Sequence, residues 1–201
     1  MRGDGDGWAL SDTGARFWGR HGAAGLLLRA PLATGAPAVL LQHRAPWSHQ
    51  GGTWGLPGGA RDSHETAEQA AVREAHEEAG LPVEKVVVRA AVVTARASGS
   101  EWTYTTVVAD TLYPLTTVPN MESAELRWVL EEEIDGLPLH PGFAASWHRL
   151  RTEVASVPKR PGLPRTVELE SGEFVWCTPA GPGDEPSPLS DRISLLLQAL
   201  H

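Results

Sequence analysis

The sequence predicts an α/β protein. Short Val-, Leu- and Thr-rich segments of strand length, separated by turn residues, surround one strongly marked helix over 62–79 and a second over 141–155. With 201 residues, 41% hydrophobic and 21% charged, the chain can bury one core of its own and still carry appended segments. Composition shifts near its two ends predict an N-terminal arm (1–21), a core domain (22–156) and a small C-terminal extension (157–201).

The elements follow in order. The first twenty residues, rich in Gly and Asp with Trp8, Phe17 and Trp18, predict a short strand or a loose arm. "AAGLLLRA" (23–30) and "PAVLLQHRA" (37–45) read as strands, and the turn-rich "PLATGA" between them makes a hairpin. "PWSHQGGTWGLPGG" (46–59) reads as a glycine-rich loop with a very short strand at Trp54–Leu56. The helix over 62–79 has Asp62 or Ser63 as its N-cap, and Asp62 with Glu65 fits capping-box spacing; Gly80 ends it and Pro82 forbids continuation. Strands are predicted over 84–97, 101–110 and 125–130, the last followed by a solvated turn or helix start at "EEEIDGL". The helix over 141–155 places Phe143, Trp147 and Leu150 on one face. Beyond the proline-rich "VPKRPGLPRT", a hairpin around Ser171-Gly172, a loop and an amphipathic helix over 190–200 are expected.

Several function classes are disfavoured. A net charge of −8 is the wrong sign for a protein gripping a nucleic-acid polymer, although a small phosphorylated ligand remains compatible if metal ions bridge anion to anion. The single cysteine, Cys177, permits neither an intrachain disulfide nor a Cys-rich zinc site, and reads as a buried thiol rather than a nucleophile. The start lacks the pattern of a signal peptide, and no apolar run approaches the ~18 residues a membrane helix needs. No membrane partner and a cytoplasmic location are therefore expected.

The helix over 62–79 raises the chemical question. On a helical wheel Glu74, Glu77 and Glu78 form one stripe beside Ala71, Val72, Ala75 and Ala79, so the carboxylates border the apolar face instead of opposing it. A solvated acidic face would mix in lysines, and this helix has none; Arg73, four residues before Glu77, can brace it. Clustered carboxylates suit a hard divalent cation such as Mg²⁺, which takes oxygen ligands from one or two carboxylates and from substrate phosphates. Gly58 and Gly59, without side chains, let backbone approach a ligand, and a carbonyl there offers another oxygen.

The spacing sharpens this reading. Gly59, Glu65, Arg73-Glu74, Ala75, Glu77-Glu78, Gly80 and Leu81 fill the nine fixed positions of Gly-x5-Glu-x7-Arg-Glu-U-x-Glu-Glu-x-Gly-U, where U is aliphatic and Ala75 is a small occupant of the first such position. The stretch resembles the signature of the Nudix (MutT-type) hydrolases, and is most similar to actinobacterial MutT-like proteins. "WGLPGG" before it and "ESAELRWV" after it extend the resemblance over about residues 22–152.

The resemblance implies an α/β/α sandwich around a mixed sheet, and hydrolysis of a nucleoside diphosphate linked to some other group. It assigns the metal to Glu74, Glu77, Glu78 and the Gly59 carbonyl, with Mg²⁺ expected and Mn²⁺ as a substitute. Arg73 would orient a carboxylate, Glu65 would be its structural partner or an outer metal contact, and Glu122, with Glu125 as the alternate, would be the distant ligand or base. Phosphoryl chemistry of this kind needs charge neutralisation and in-line positioning more than a covalent nucleophile.

For the substrate, Arg44, Trp102, Tyr104 and Asn120 are the candidate contacts: Arg44 for phosphate or base, Trp102 and Tyr104 for stacking from one face of a strand, with core packing as the alternative for both, and Asn120, the one asparagine, for the base edge. Trp47, Trp54, His43 and His49 are further candidates. The expected substrate is a nucleoside triphosphate, 8-oxo-dGTP above all, giving the monophosphate and pyrophosphate. An ADP-ribose or nucleotide-sugar pyrophosphatase is the alternative, and a non-catalytic nucleotide sensor the second. A monomer or a homodimer fits either enzyme.

Overall fold

The computed structural model describes residues 3–156, 165–168 and 174–177, with side chains through Arg151. Its strands are β1 (Trp8–Leu10), β2 (Arg16–Trp18), β3 (Ala23–Pro31), β4 (Pro37–Arg44), β5 (Trp54–Gly55), β6 (Gly58–Ala60), β7 (Val87–Arg96), β8 (Thr103–Asp110), β9 (Ser123–Leu130), β10 (Arg165–Glu168) and β11 (Phe174–Cys177). The helices are α1 (Ala67–Ala79) and α2 (Pro141–Ser156), with 3-10 turns at Val83–Lys85 and Ile134–Gly136.

A mixed sheet runs β11-β10-β7-β8-β3-β4-β5, with β6 added to β3 and β9 to β4. At its centre β3 runs parallel to β8, from Ala23 beside Tyr104 to Arg29 beside Asp110. The other edge of β3 is shared: β6 takes Ala23–Gly25, and β4 takes Arg29–Pro31. The edge of β3 thus passes from β6 to β4, and α1 packs over the β6 end.

Both faces of this sheet are covered, which explains why "AAGLLLRA" is apolar without alternation. Leu26 and Leu28 point to the α1 side with Leu40 and Val107, against Ala70, Ala71, Ala75 and Ala79. Leu27 points the other way, with Val39, Leu41 and Val108, against Phe143, Trp147 and Leu150 of α2. Alanines on α1 let its backbone come close to the sheet, and that proximity brings its carboxylate stripe against the glycines of β6. The layers are helix, sheet, helix, the sandwich expected.

Most predicted elements stand where the sequence puts them, and four differ. The helix begins at Ala67, capped by Thr66 and Gln69 in a reciprocal capping box, not by Asp62 or Ser63. The expected Asp62–Glu65 pairing exists, but it closes a tight turn before the helix: Asp62 N–H donates to Glu65 Oε2 and Glu65 N–H to the Asp62 carbonyl. The glycine-rich loop contains β6, which local propensity hides because its partners lie far off in the chain. Third, the start of the strand predicted over 84–97 is a 3-10 turn.

The first residues are neither loose nor a single strand: β1 and β2 form a two-stranded ribbon, Trp8 opposite Trp18. Strands β10 and β11 pair as predicted, with Arg165 bridging Val87 of β7. The turn at Ser171-Gly172, the helix over 190–200 and the side chain of Cys177 lie outside the described residues. Among the described residues no helix is long and apolar enough to cross a membrane.

Candidate active site

The signature folds into a strand, a turn and a helix whose side chains lock together around Arg73. The Arg73 guanidinium grips Glu65 with two hydrogen bonds, Nε to Oε1 at 2.6 Å and Nη2 to Oε2 at 2.9 Å. Its Nη1 donates to Glu74 Oε1 at 2.8 Å and its Nη2 to the Ala60 carbonyl at 2.9 Å. One planar fork therefore ties the preceding turn, β6 and α1 together, a geometry that lysine cannot reproduce. Burial alone would push Glu65 up; the hydrogen bonds from Arg73 overcome that and leave it below its ordinary value. Arg73 is raised in turn, chiefly by its bond to Glu65.

Glu74 and Glu78 are the charges the fold holds at a cost. Glu78 is buried, and its Oε2 accepts a single hydrogen bond, from Gly58 N–H at 2.9 Å. Loss of water pushes it from 4.5 up to about 8, with Glu74 and Glu122 adding repulsion. Glu74 rises to about 7, first from burial, despite Arg73 and helped by Glu77 and Glu122. Glu77 is the outward member, its side chain 59% exposed and 3.8 Å from Arg73 Nη1.

Gly59 lies directly against Glu74, for a Cβ at Gly59 would come within 2.6 Å of the Glu74 carboxyl carbon. Crowded carboxylates in a desolvated niche with backbone at hand are a hard-cation donor set, and the groups present fit a divalent metal in kind. Another trio of ligand-type atoms, on Asp4, Asp62 and His64, comes within 4.8 Å. The carboxylates there are already engaged: Ser63 N–H and Oγ donate to Asp4, and Gly5 N–H donates to Asp62.

Glu122 reaches this neighbourhood although it is far off in sequence. Asn120 N–H donates to the Glu78 carbonyl, Asn120 Oδ1 accepts from Glu122 N–H at 2.8 Å, and Ala45 N–H donates to the Glu122 carbonyl. The asparagine thus spends its side-chain oxygen on a local turn that sets Glu122 beside the cluster, which leaves that oxygen committed rather than free for a base edge. The alternate, Glu125, sits on β9 opposite His43 and pairs with Arg127 at 3.9 Å instead.

The substrate candidates divide. Arg44 is close enough to lower Glu78 and to disfavour protonation of His140, and its Nε donates to the His49 carbonyl at 2.9 Å. Trp102 is 8% exposed, tilted against Phe17 at 4.6 Å, with Nε1 donating to the Trp18 carbonyl, so the N-terminal ribbon covers the face expected to stack a base. Tyr104 is raised by burial, and its hydroxyl overlies Gly25, where a Cβ would strike it. Trp54 is buried between His43, stacked at 4.7 Å, and Arg127, 4.4 Å over its ring.

Trp47 carries an exposed ring, 70% exposed, two residues after Ala45, whose N–H meets the Glu122 carbonyl. His140 was not visible in the sequence as a site residue. It precedes α2, and its ring lies 6.4 Å from His49. Its Nδ1 accepts from Gly142 N–H, which places the ring proton of the neutral form on Nε2. Burial, then Arg44 and His49, lower its pKa. No local pattern marks such a residue; tertiary proximity alone does.

Comparison with known proteins agrees with this geometry. The family model for the NUDIX domain matches residues 19–150. A Mycobacterium tuberculosis protein that carries the provisional name 8-oxo-dGTP diphosphatase 3 is 66% identical over 206 residues, spanning 98% of this chain and 95% of its own length. The crystal structure of RenU, a Nudix hydrolase from M. smegmatis, is 72% identical, with a TM-score of 0.74 over 77% of this chain and 98% of its own. A MutT protein from Methanosarcina mazei shares the fold at 26% identity and a TM-score of 0.50, over 65% of this chain and 92% of its own. With every glutamate of the signature in place around Arg73, this chain belongs to the Nudix family and is a hydrolase of phosphorus-containing anhydrides.

Proposed function

We propose that this protein hydrolyses nucleoside triphosphates to a nucleoside monophosphate and pyrophosphate, with Mg²⁺ as cofactor and 8-oxo-dGTP as its leading substrate. The observation that carries the chemistry is the crowded pair of half-buried Glu74 and buried Glu78, pushed to about 7 and about 8, beside a glycine with no room for a side chain. An ionised pair there is unfavourable until a cation neutralises it. The choice of 8-oxo-dGTP rests on the name of the mycobacterial relative and its 66% identity. A cytoplasmic, metabolite-facing role fits that choice.

Glu74, Glu77, Glu78 and the Gly59 carbonyl would hold the metal, which when bound supplies charge neutralisation for the phosphates and an activated water. Gly58 N–H fixes the Glu78 carboxylate against β6. Arg73 keeps Glu74 turned toward β6 through its hydrogen bond. Glu122 takes the proton of the attacking water from its position beside Glu74 and Glu78. Arg44, together with Nε2–H of His140, meets the outer phosphates, and Trp47 stacks the base.

The test is product analysis by chromatography with MgCl2 and a panel of 8-oxo-dGTP, dGTP, ADP-ribose and a nucleotide sugar. Monophosphate and pyrophosphate from 8-oxo-dGTP, formed faster than any other product, are expected. Faster cleavage of ADP-ribose would replace the substrate assignment. Equal turnover by wild type and Glu78→Gln would remove the catalytic reading altogether.

A further inference from the structure

We propose that the N-terminal arm is a positioning element of the active site, with Asp4 as its working residue. The turn between β6 and α1 carries Glu65, the anchor of Arg73, and ends at Thr66, which closes the capping box with Gln69. The arm holds the earlier part of that turn. Asp4 Oδ1 accepts from Ser63 N–H at 2.9 Å and Asp4 Oδ2 from Ser63 Oγ at 2.6 Å. Gly5 N–H donates to Asp62 Oδ1 at 2.7 Å. Arg61 reaches back to the His21 carbonyl through Nη2 and across the turn to the Glu65 carbonyl through Nη1 at 2.8 Å.

From there the chain of contacts is continuous. Asp62 N–H holds Glu65 Oε2 at 3.0 Å, Glu65 holds Arg73 with two bonds, and Arg73 Nη1 holds Glu74 Oε1 at 2.8 Å. The arm is itself anchored, because Arg20 N–H donates to the Gly5 carbonyl and Gly19 N–H to the Gly7 carbonyl, and Phe17 packs on Trp102. The two bonds from Ser63 hold the Asp4 carboxyl down at about 2, which favours its charged form. Asp4 touches no signature glutamate, and its effect passes through Glu65 and Arg73.

This inference rests on the reading of Glu74 as part of the catalytic set, and the experiment separates the two. Hydrogen exchange of the metal-free protein is measured for wild type, Asp4→Ala and Asp4→Asn, and steady-state hydrolysis of 8-oxo-dGTP with MgCl2 is measured for these and for Glu65→Gln, the Asp4→Ala/Glu65→Gln pair and Glu78→Gln. Asp4→Ala should speed exchange over residues 61–65 without changing it in β3 or α2. It should lower kcat on the order of tenfold with KM held within about twofold, as expected for a displaced rather than a deleted group. Asp4→Asn, which keeps an acceptor for Ser63 N–H, should restore most of the rate. The double variant should be no slower than Glu65→Gln alone, since both act through one chain of contacts.

Unchanged exchange over 61–65 in Asp4→Ala overturns the inference, as do independent multiplying effects of Asp4 and Glu65, or a loss confined to KM. If Glu78→Gln retains full turnover, the catalytic reading falls while the exchange result still decides the latch.

Discussion

Replacing Glu78 by Gln separates what this carboxylate costs the fold from what it does for the reaction. Glutamine keeps the shape and a carbonyl oxygen for Gly58 N–H, which lies 2.9 Å from Glu78 Oε2 in the wild type, and removes only the charge. In the metal-free protein the Glu78 carboxyl is raised from 4.5 to about 8. A carboxyl raised on folding binds more protons in the native than in the unfolded state between those two values, so stability falls as pH climbs through that window. The full displacement corresponds to a ceiling of roughly 5 kcal/mol above pH 8. Relaxation and water entry around a real buried charge leave about 2 kcal/mol of this.

For a chain of this size about 2 kcal/mol amounts to a shift of roughly 4–8 °C in Tm. The assay is a thermal melt from pH 5 to pH 9, each with and without MgCl2. Without metal, Glu78→Gln should match wild type near pH 5 and melt higher by that amount near pH 9. With MgCl2 the wild type should recover the difference and the variant should not, while hydrolysis by the variant falls by about two orders of magnitude or more. Wild type and variant melting in parallel across the pH range, or equal stabilisation of both by MgCl2, would refute the reasoning.

The remaining predictions bear on single contacts. Gly59→Ala places a Cβ within 2.6 Å of the Glu74 carboxyl carbon and should cut kcat by about tenfold or more by turning that carboxylate, with expression and melting little altered, as steady-state kinetics will show. Arg73→Lys loses the fork on Glu65 and Glu74, and urea unfolding should report a loss of about 2 kcal/mol. Trp147→Ala, at a position 1% exposed, should cost about 3–5 kcal/mol by the same assay. Trp147→Phe should cost less than half of that, because the indole N–H has no partner to lose among the described residues. Trp47→Ala should raise KM for the nucleotide by about fivefold or more with kcat nearly constant, the signature of a stacking contact removed from both ground and transition states.

The contrast between what the sequence showed and what it hid follows the range of each interaction. The α1 site was legible because its logic is local: Arg73, Glu74, Glu77 and Glu78 sit within two turns of one helix, and a wheel shows that they border the apolar face. Strands β3 and β4 were legible for a similar reason, since both faces of the sheet are covered there and leave near-continuous apolar runs. β6 was hidden, because Gly-Gly-Ala has no strand propensity and is strand only through its pairing with Ala23–Gly25. The helix start was misplaced by a genuine signal, for Asp62 and Glu65 do pair, but the arm claims Ser63 and Asp62 and Thr66 is left to cap. Trp102 was left between stacking and core packing because a tryptophan on a strand has the same local pattern whether a ligand or Phe17 covers it. His140 and Asn120 depend on contacts made across the whole fold, which no spacing rule records.

These differences share one consequence for how the site works. A helix that carries three carboxylates on the border of its apolar face would, by itself, turn them toward water. Three backbone features prevent that here. The alanines of α1 draw it close to β3, Gly58 offers its N–H to Glu78, and Gly59 leaves room for Glu74. Arg73 then neutralises one part of the cluster and leaves the rest in deficit. The deficit is what a cation would satisfy, so the same burial that weakens the metal-free fold would favour binding of one. A protein optimised for stability alone would place glutamine at 78, and that it does not is the strongest physical argument that this niche exists for chemistry.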